Sequence, residues 1–233
     1  MFAYEALIRG AGGAGAAEVL GQVEPEQMYA FDQACRVTAI REAVAAGILQ
    51  TGARLSINFL PNAVYSPMAC IQLTLKTARE VGLPTDRLIF EFTENERLDT
   101  AHVQRIVDAY RQLGFMTAVD DFGAGYAGLS LLAALQTDMV KLDMSLIRGI
   151  GGDARKRVVL EGLLAMMRRL GTEVIAEGVE TEAELAVLRL FGVRYVQGFL
   201  FGQPELGRLP AYPRCLRTVE SAPPAATRIA LPN

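Results

Sequence analysis

The chain has no tryptophan, a single histidine and three cysteines among its 233 residues. The cysteines, Cys35, Cys70 and Cys215, are odd in number and far apart, which argues against a disulfide framework and fits a reducing compartment, the cytoplasm. One histidine and no paired cysteines argue against a zinc site of the usual ligand spacing, and allow a Ser-His-Asp triad only with His102 as its base. His102 lies in the polar, helix-patterned run TAHVQRIVDAYRQL and reads as an ordinary surface residue. Basic residues are not in excess: 23 Lys and Arg stand against 26 Asp and Glu, for a net charge of −3, so no nucleic-acid polymer is expected as partner. No apolar run is long enough to cross a bilayer, and no membrane partner is expected either. Glu5 and Arg9 interrupt the first apolar stretch, which sets it apart from a signal peptide.

What remains is a length and composition suited to a substantial core, with 51% hydrophobic and 21% charged residues. Short apolar segments rich in β-branched and aromatic residues predict strands over 2–8, 54–60, 88–93, 116–120, 139–143, 173–178 and 194–199. Helical periodicity predicts helices near 25–47, 66–82, 100–113, 128–135, 153–170 and 181–191. Gly114, Gly171 and Gly192 each follow a helical run, where a C-terminal cap is expected. This alternation implies a parallel sheet with crossover helices, and seven strands at near-regular spacing favour an α/β fold of the TIM-like (β/α) barrel type. The chain begins at a strand, so an eighth is expected upstream or missing. The barrel domain is expected over 1–220, and the Pro- and Ala-rich stretch 221–233 is expected to be a disordered tail.

Each predicted strand, otherwise apolar, carries polar residues near its C-terminal end, the face on which such barrels do their chemistry. In order these are Glu5 and Arg9, Asn58, Glu91, Asp120 with Asp121, Lys141 with Asp143, Glu177, and Gln197. One such residue would be unremarkable; all seven strands contributing to one rim is not a coincidence. Five carboxylates with Lys141 as the obvious internal cation would repel one another unless divalent cations neutralise them. Oxygen ligands without His or Cys select hard cations, Mg²⁺ or Mn²⁺, with Ca²⁺ able to compete. Neighbouring residues of a strand point opposite ways, so Asp121 must already be turning into the loop, which Gly123 and Gly125 permit. One carboxylate of the pair could then bridge two ions, an arrangement that suits in-line phosphoryl displacement.

Two shorter patterns compete. Asp121-Phe122-Gly123 spells the kinase metal-binding triplet, but no HRD loop or VAIK strand accompanies it. GAGGAG at 10–15 fits a dinucleotide-binding spacing, a cheap match in a chain with 22 glycines.

From Tyr4 to about Pro204 the chain resembles the EAL-domain family of cyclic di-GMP phosphodiesterases. The motifs occur in order: Glu5-Ala6-Leu7-Ile8-Arg9, Asn58, Glu91-Phe92-Thr93-Glu94, Asp120-Asp121-Phe122-Gly123, Lys141-Leu142-Asp143, Ala176-Glu177-Gly178-Val179-Glu180 and Gln197-Gly198-Phe199. The resemblance implies a barrel that hydrolyses one phosphodiester bond of cyclic di-GMP with two Mg²⁺ or Mn²⁺ ions per site, Ca²⁺ being inhibitory. It implies that Glu5, Asn58, Glu91 and Asp120 hold one ion, and Asp120, Asp121 and Glu177 the other. Lys141 would orient the attacking water and Glu177 act as general base. Leu7, Arg9, Asp143, Glu180 and Gln197 would meet the substrate, Arg9 at a phosphate, and Glu94 would tether the loop after Asp121. A homodimer and an upstream sensor domain are further partners consistent with the family.

Two departures stand out. The loop reads GAGYAGL where the family usually carries threonine and serines, which bears on loop rigidity rather than on metal binding. The family's upstream strand and helix do not precede Glu5 here; an open barrel would expose apolar edges. A non-catalytic cyclic di-GMP receptor and a protein-interaction module remain as alternative functions.

Overall fold

The computed structural model describes residues 1–93, 98–125 and 128–211. Glu94 and the expected tail at 221–233 lie outside the described residues. Seven strands form one sheet in chain order, each parallel to the next: β1 (Ala3–Ala6), β2 (Arg54–Asn58), β3 (Leu88–Thr93), β4 (Met116–Phe122), β5 (Met139–Leu142), β6 (Glu173–Ala176) and β7 (Tyr195–Val196). The helices are α1 (Ala16–Leu20), α2 (Met28–Ala45), α3 (Pro67–Cys70), α4 (Gln72–Val81), α5 (Thr100–Gln112), α6 (Gly128–Ala134), α7 (Met144–Ile147), α8 (Ala154–Leu170) and α9 (Glu182–Leu190). None of those described is long and apolar enough to cross a membrane.

Strand alternation sorts the apolar side chains into two cores. Leu55, Ile57, Leu88, Phe90, Phe92, Val140 and Leu142 face outward and join the large core under the helices. Ile89, Ala118, Met139 and Ile175 face inward, where Phe2, Ala3, Met116 and Tyr195 pack beside them as an apolar floor to the barrel. The outer layer is why these helices are amphipathic; α5, for example, buries Val103, Ile106, Val107 and Tyr110 on one face.

Local chemistry sets most element ends. Asp99 accepts hydrogen bonds from the Ala101 and His102 backbone N–H groups to start α5, and Asp153 does the same for Arg155 and Lys156 at α8. Gly171 ends α8 with a left-handed φ of 71°. The expected helix at 66–82 is two, α3 and α4, meeting at Ile71. Helices α1 and α7 carry no periodic signal because one buries nothing and the other is a single turn capped by Asp143. The last strand is shorter than expected, because the chain turns at Gly198 against the backbone of Val179.

Among the described residues no backbone ladder joins β7 to β1. Side chains close the seam instead. The rings of Phe2 and Tyr195 lie with centroids 4.1 Å apart, and the Gln197 amide donates to Glu5 Oε2 at 2.6 Å.

Candidate active site

The same alternation that builds the floor places the polar residues above it. Two residues on from Ala3, Ile89, Ala118, Met139, Ile175 and Tyr195 come Glu5, Glu91, Asp120, Lys141, Glu177 and Gln197. They therefore face the same interior, one layer nearer the C-terminal rim. Lys141, 1% exposed, stands at their centre. Its Nζ lies 2.9 Å from Glu177 Oε1, 3.0 Å from Glu91 Oε2, 3.0 Å from Asp120 Oδ1 and 3.4 Å from Glu5 Oε2. Asn58 Nδ2 donates to Glu5 Oε1 at 3.0 Å. Backbone bonds beyond the strands keep the ends in register: Phe59 N–H donates to the Glu91 carbonyl, and Glu177 N–H to that of Leu142.

Four carboxylates around one ammonium leave a surplus of negative charge, and the acidities show it. Burial alone would raise the Glu5 carboxyl, but Lys141 and the amides of Gln197 and Asn58 outweigh burial and hold it below the ordinary range. Burial pushes Glu91 up to about 7 against the pull of Lys141, with Glu5 and Asp120 adding to the rise. Glu177 is pushed up to about 8 by burial, again opposed by Lys141 and reinforced by Asp120 and Glu5. Burial works against the charge on Lys141, yet its carboxylate neighbours raise it well above the usual lysine range.

Asp121 joins this cluster by leaving the strand geometry. The register between β4 and β5 slips between Val119 and Phe122, and Asp121 takes a φ of +54°, the one positive value among the described non-glycine residues. Aspartate tolerates this region better than most residues, and the bulge turns its carboxylate toward that of its neighbour. Asp120 Oδ1 accepts the Asp121 backbone N–H at 2.9 Å. Burial, with Asp120 and Asp143 nearby, raises the Asp121 carboxyl.

The oxygens fall into two overlapping triads, Glu5–Glu91–Asp120 and Asp120–Asp121–Glu177, each with its donor atoms within 4.8 Å of one another. Asp120 is common to both. All donors are carboxylates, so the set fits a pair of hard divalent cations and not zinc or copper.

The loops around this cage are locked to one another. A Cβ on Gly178 would come within 2.3 Å of Met144 Cβ, so only glycine lets the β6–α9 loop approach α7 so closely, and its φ of 64° adds to the requirement. Glu184, 3% exposed, accepts the backbone N–H groups of Gly149, Glu180 and Thr181 at 2.9, 3.0 and 3.0 Å. It is also half of a capping box with Thr181. Sequence reasoning passed over Glu184; the Thr-x-x-Glu spacing is the signal that marks it.

The remaining expected site residues stand further out. Glu180 forms a two-point ion pair with Arg148, its Oε1 2.7 Å from one guanidinium nitrogen. Asp143 accepts the Ser145 N–H at 2.9 Å, and Leu7 is exposed. Arg9 is exposed and donates to the Ile8 carbonyl at 2.7 Å. His102 lies on α5, with Nδ1 3.4 Å from an Arg105 guanidinium nitrogen.

The sequence pattern of the EAL domain matches residues 1–204. The chain belongs to the EAL domain family. A standalone EAL protein from Vibrio cholerae O395, solved in its c-di-GMP-bound form, is 46% identical with a TM-score of 0.86, over 91% of this chain and 89% of that one. Klebsiella pneumoniae BlrP1, in a calcium/cy-diGMP complex, is 34% identical with a TM-score of 0.82, over 90% of this EAL chain and 53% of BlrP1. The probable cyclic di-GMP phosphodiesterase PdeG of Escherichia coli K12 is 33% identical over 195 residues, 81% of this chain and 36% of PdeG. This EAL chain spans about half or less of the length of such curated relatives, 21% of one and 52% of another.

Proposed function

We propose that this EAL domain is a metal-dependent phosphodiesterase that opens cyclic di-GMP to the linear dinucleotide pGpG in the bacterial cytoplasm. The observation that supports it most is the cage, in which Asp120 is shared by two triads of oxygen donors around a buried lysine. In this reading Glu5, Asn58, Glu91 and Asp120 hold one ion, and Asp120, Asp121 and Glu177 hold the other, directly or through water. Mg²⁺ or Mn²⁺ suits the task; Ca²⁺, larger and looser in geometry, is expected to bind and inhibit. When bound, such ions supply Lewis-acid charge for the attacking and leaving oxygens of an in-line displacement.

The chain's own groups do the rest. Lys141 orients the attacking water, and Glu177 accepts its proton. The water oxygen bonds to phosphorus while the bond from phosphorus to the ribose 3′ oxygen breaks, and that oxygen takes a proton from solvent. Leu7, Arg9, Asp143, Glu180 and Gln197 meet the dinucleotide, with Arg9 at a phosphate, where a guanidinium pairs well. Glu94 tethers the loop that follows Asp121.

The test is turnover of cyclic di-GMP by the purified chain with Mn²⁺ or Mg²⁺, with Glu5→Ala and Glu177→Ala as controls. Hydrolysis by the wild type and its loss in both variants is the expected result. Turnover no higher than in the variants overturns the reading, and tight binding without turnover at saturating metal makes the domain a receptor instead.

A further inference from the structure

On the outer side of β2 and β3 lies a second buried cation that this mechanism leaves unused. Arg36 of α2 is completely buried, and its NH2 stands 2.5 Å from Oδ2 of Asp32, one helical turn earlier and also buried. Taking an ion pair out of water costs more than it returns in many proteins, and apolar residues of similar volume often serve stability as well. Here the pair is not even fully satisfied: Arg36 Nε and the amide of neighbouring Gln33 have no hydrogen-bond partner among the described residues. Stability alone is a poor account of its presence.

Its contacts suggest another. The guanidinium carbon lies 5.3 Å from the centre of the Phe59 ring and 5.5 Å from that of Phe90, and NH1 donates to the Tyr110 hydroxyl at 2.9 Å. Asp32 Oδ1 accepts the backbone N–H of Leu60 at 3.1 Å. Phe59 and Leu60 directly follow Asn58, and Phe90 directly precedes Glu91. The Phe59 N–H also donates to the Glu91 carbonyl at 2.9 Å. Because side chains alternate across a strand, holding Phe59 and Phe90 from outside fixes the direction in which Asn58 and Glu91 point inside. A planar cation held at one edge by Asp32 and at another by Tyr110 can brace two rings at once, which neither lysine nor an aliphatic side chain can do.

We propose that Asp32 and Arg36 are positioning residues for the first ion. From outside the barrel they hold the ends of β2 and β3 so that Asn58 and Glu91 present their oxygens at metal-binding spacing. The proposal rests on the metal-dependent reading above, and goes beyond it by assigning a role to residues that touch neither ion nor substrate.

Calorimetric titration with Mn²⁺ alone separates the two. A wild-type chain that takes up no Mn²⁺ overturns the metal-dependent reading itself. Given wild-type binding, Asp32→Leu combined with Arg36→Met removes both charges together, so the fold is expected to persist, with its metal-free melting temperature close to wild type. Its Mn²⁺ dissociation constant is expected to rise by about tenfold or more, the scale on which outer partners of a metal site act. The Mn²⁺ concentration for half-maximal turnover should rise with it, while KM for cyclic di-GMP at saturating Mn²⁺ stays unchanged. A purely structural role would instead lower kcat with the folded fraction and leave the Mn²⁺ constant alone. Tyr110→Phe keeps the ring and removes only the acceptor of Arg36 NH1, so it decides the matter should the double variant not fold; a rise of about threefold is expected. An unchanged Mn²⁺ constant in either folded variant overturns the proposal.

Discussion

One ammonium group holds four carboxylates of this EAL domain in contact, and much follows from that single side chain. Lys141→Met leaves the buried acids facing one another with no cation. The expected loss is about 3–5 kcal/mol in metal-free buffer, the cost of breaking a buried pair. Added Mn²⁺ should restore part of it, and thermal melting with and without the ion is the measurement; a variant as stable as wild type without metal contradicts the picture. Glu91 and Glu177, pushed up to about 7 and about 8, hold protons near neutrality. An incoming cation must displace them, so Mn²⁺ binding is expected to release protons and to tighten as pH rises from about 6 to about 8. Calorimetry in two buffers of different ionisation enthalpy reads that release directly.

Glu184 shows the opposite sign. Burial works to raise its carboxyl, but the N–H groups of Gly149, Glu180 and Thr181 outweigh that and hold it below the ordinary range. Its contribution is therefore complete above the unfolded carboxylate value and disappears as acid protonates the folded chain. Glu184→Ala should cost about 1–3 kcal/mol at neutral pH, with the gap to wild type narrowing in acid. Urea unfolding at several pH values tests it.

At the scale of elements, strands were easier to foresee than their ends. Period-two alternation is a strong signal where one side meets helices and the other meets a floor, and all seven strands fall within or across their expected ranges. The inward set was legible for the same reason, since parity alone puts Glu91 with Ile89 and Lys141 with Met139. Two things were not legible. Asp121 is expected to leave strand parity by turning into the loop, but it does so through a bulge inside β4, which runs on to Phe122; the pairing of that bulge depends on the neighbouring strand. Asp32 and Arg36 stand one helical turn apart, a spacing that exposed ion pairs share, and only the packing of α2 against Phe59 and Phe90 makes them interior. The β6–α9 loop supplies a test at this scale. Gly178→Ala forces a methyl group into Met144 at a left-handed φ, and should destabilise by about 1–3 kcal/mol while lowering turnover further than the folded fraction explains. Turnover that simply tracks the folded fraction would deny the loop its role in holding Glu177.

At the scale of the whole fold, six strand pairs among the described residues are bound by backbone ladders and no ladder among them joins the seam. Phe2 and Tyr195 make up part of the difference by packing ring against ring. Phe2→Ala is expected to cost about 2 kcal/mol or more and to speed amide exchange in β1 and β7 before β3, β4 or β5. Uniform exchange across all seven strands would show that the seam is no weaker than the rest.

The other stitch in that seam is the bond from Gln197 to Glu5, and Glu5 is also one of the oxygens offered to an ion. One carboxylate is thus at once a buckle for the cylinder and a candidate seat for a cation. Any guest that draws on this oxygen must share it with the amide of Gln197. Filling the interior would therefore draw on the same side chain that spans the β1–β7 border.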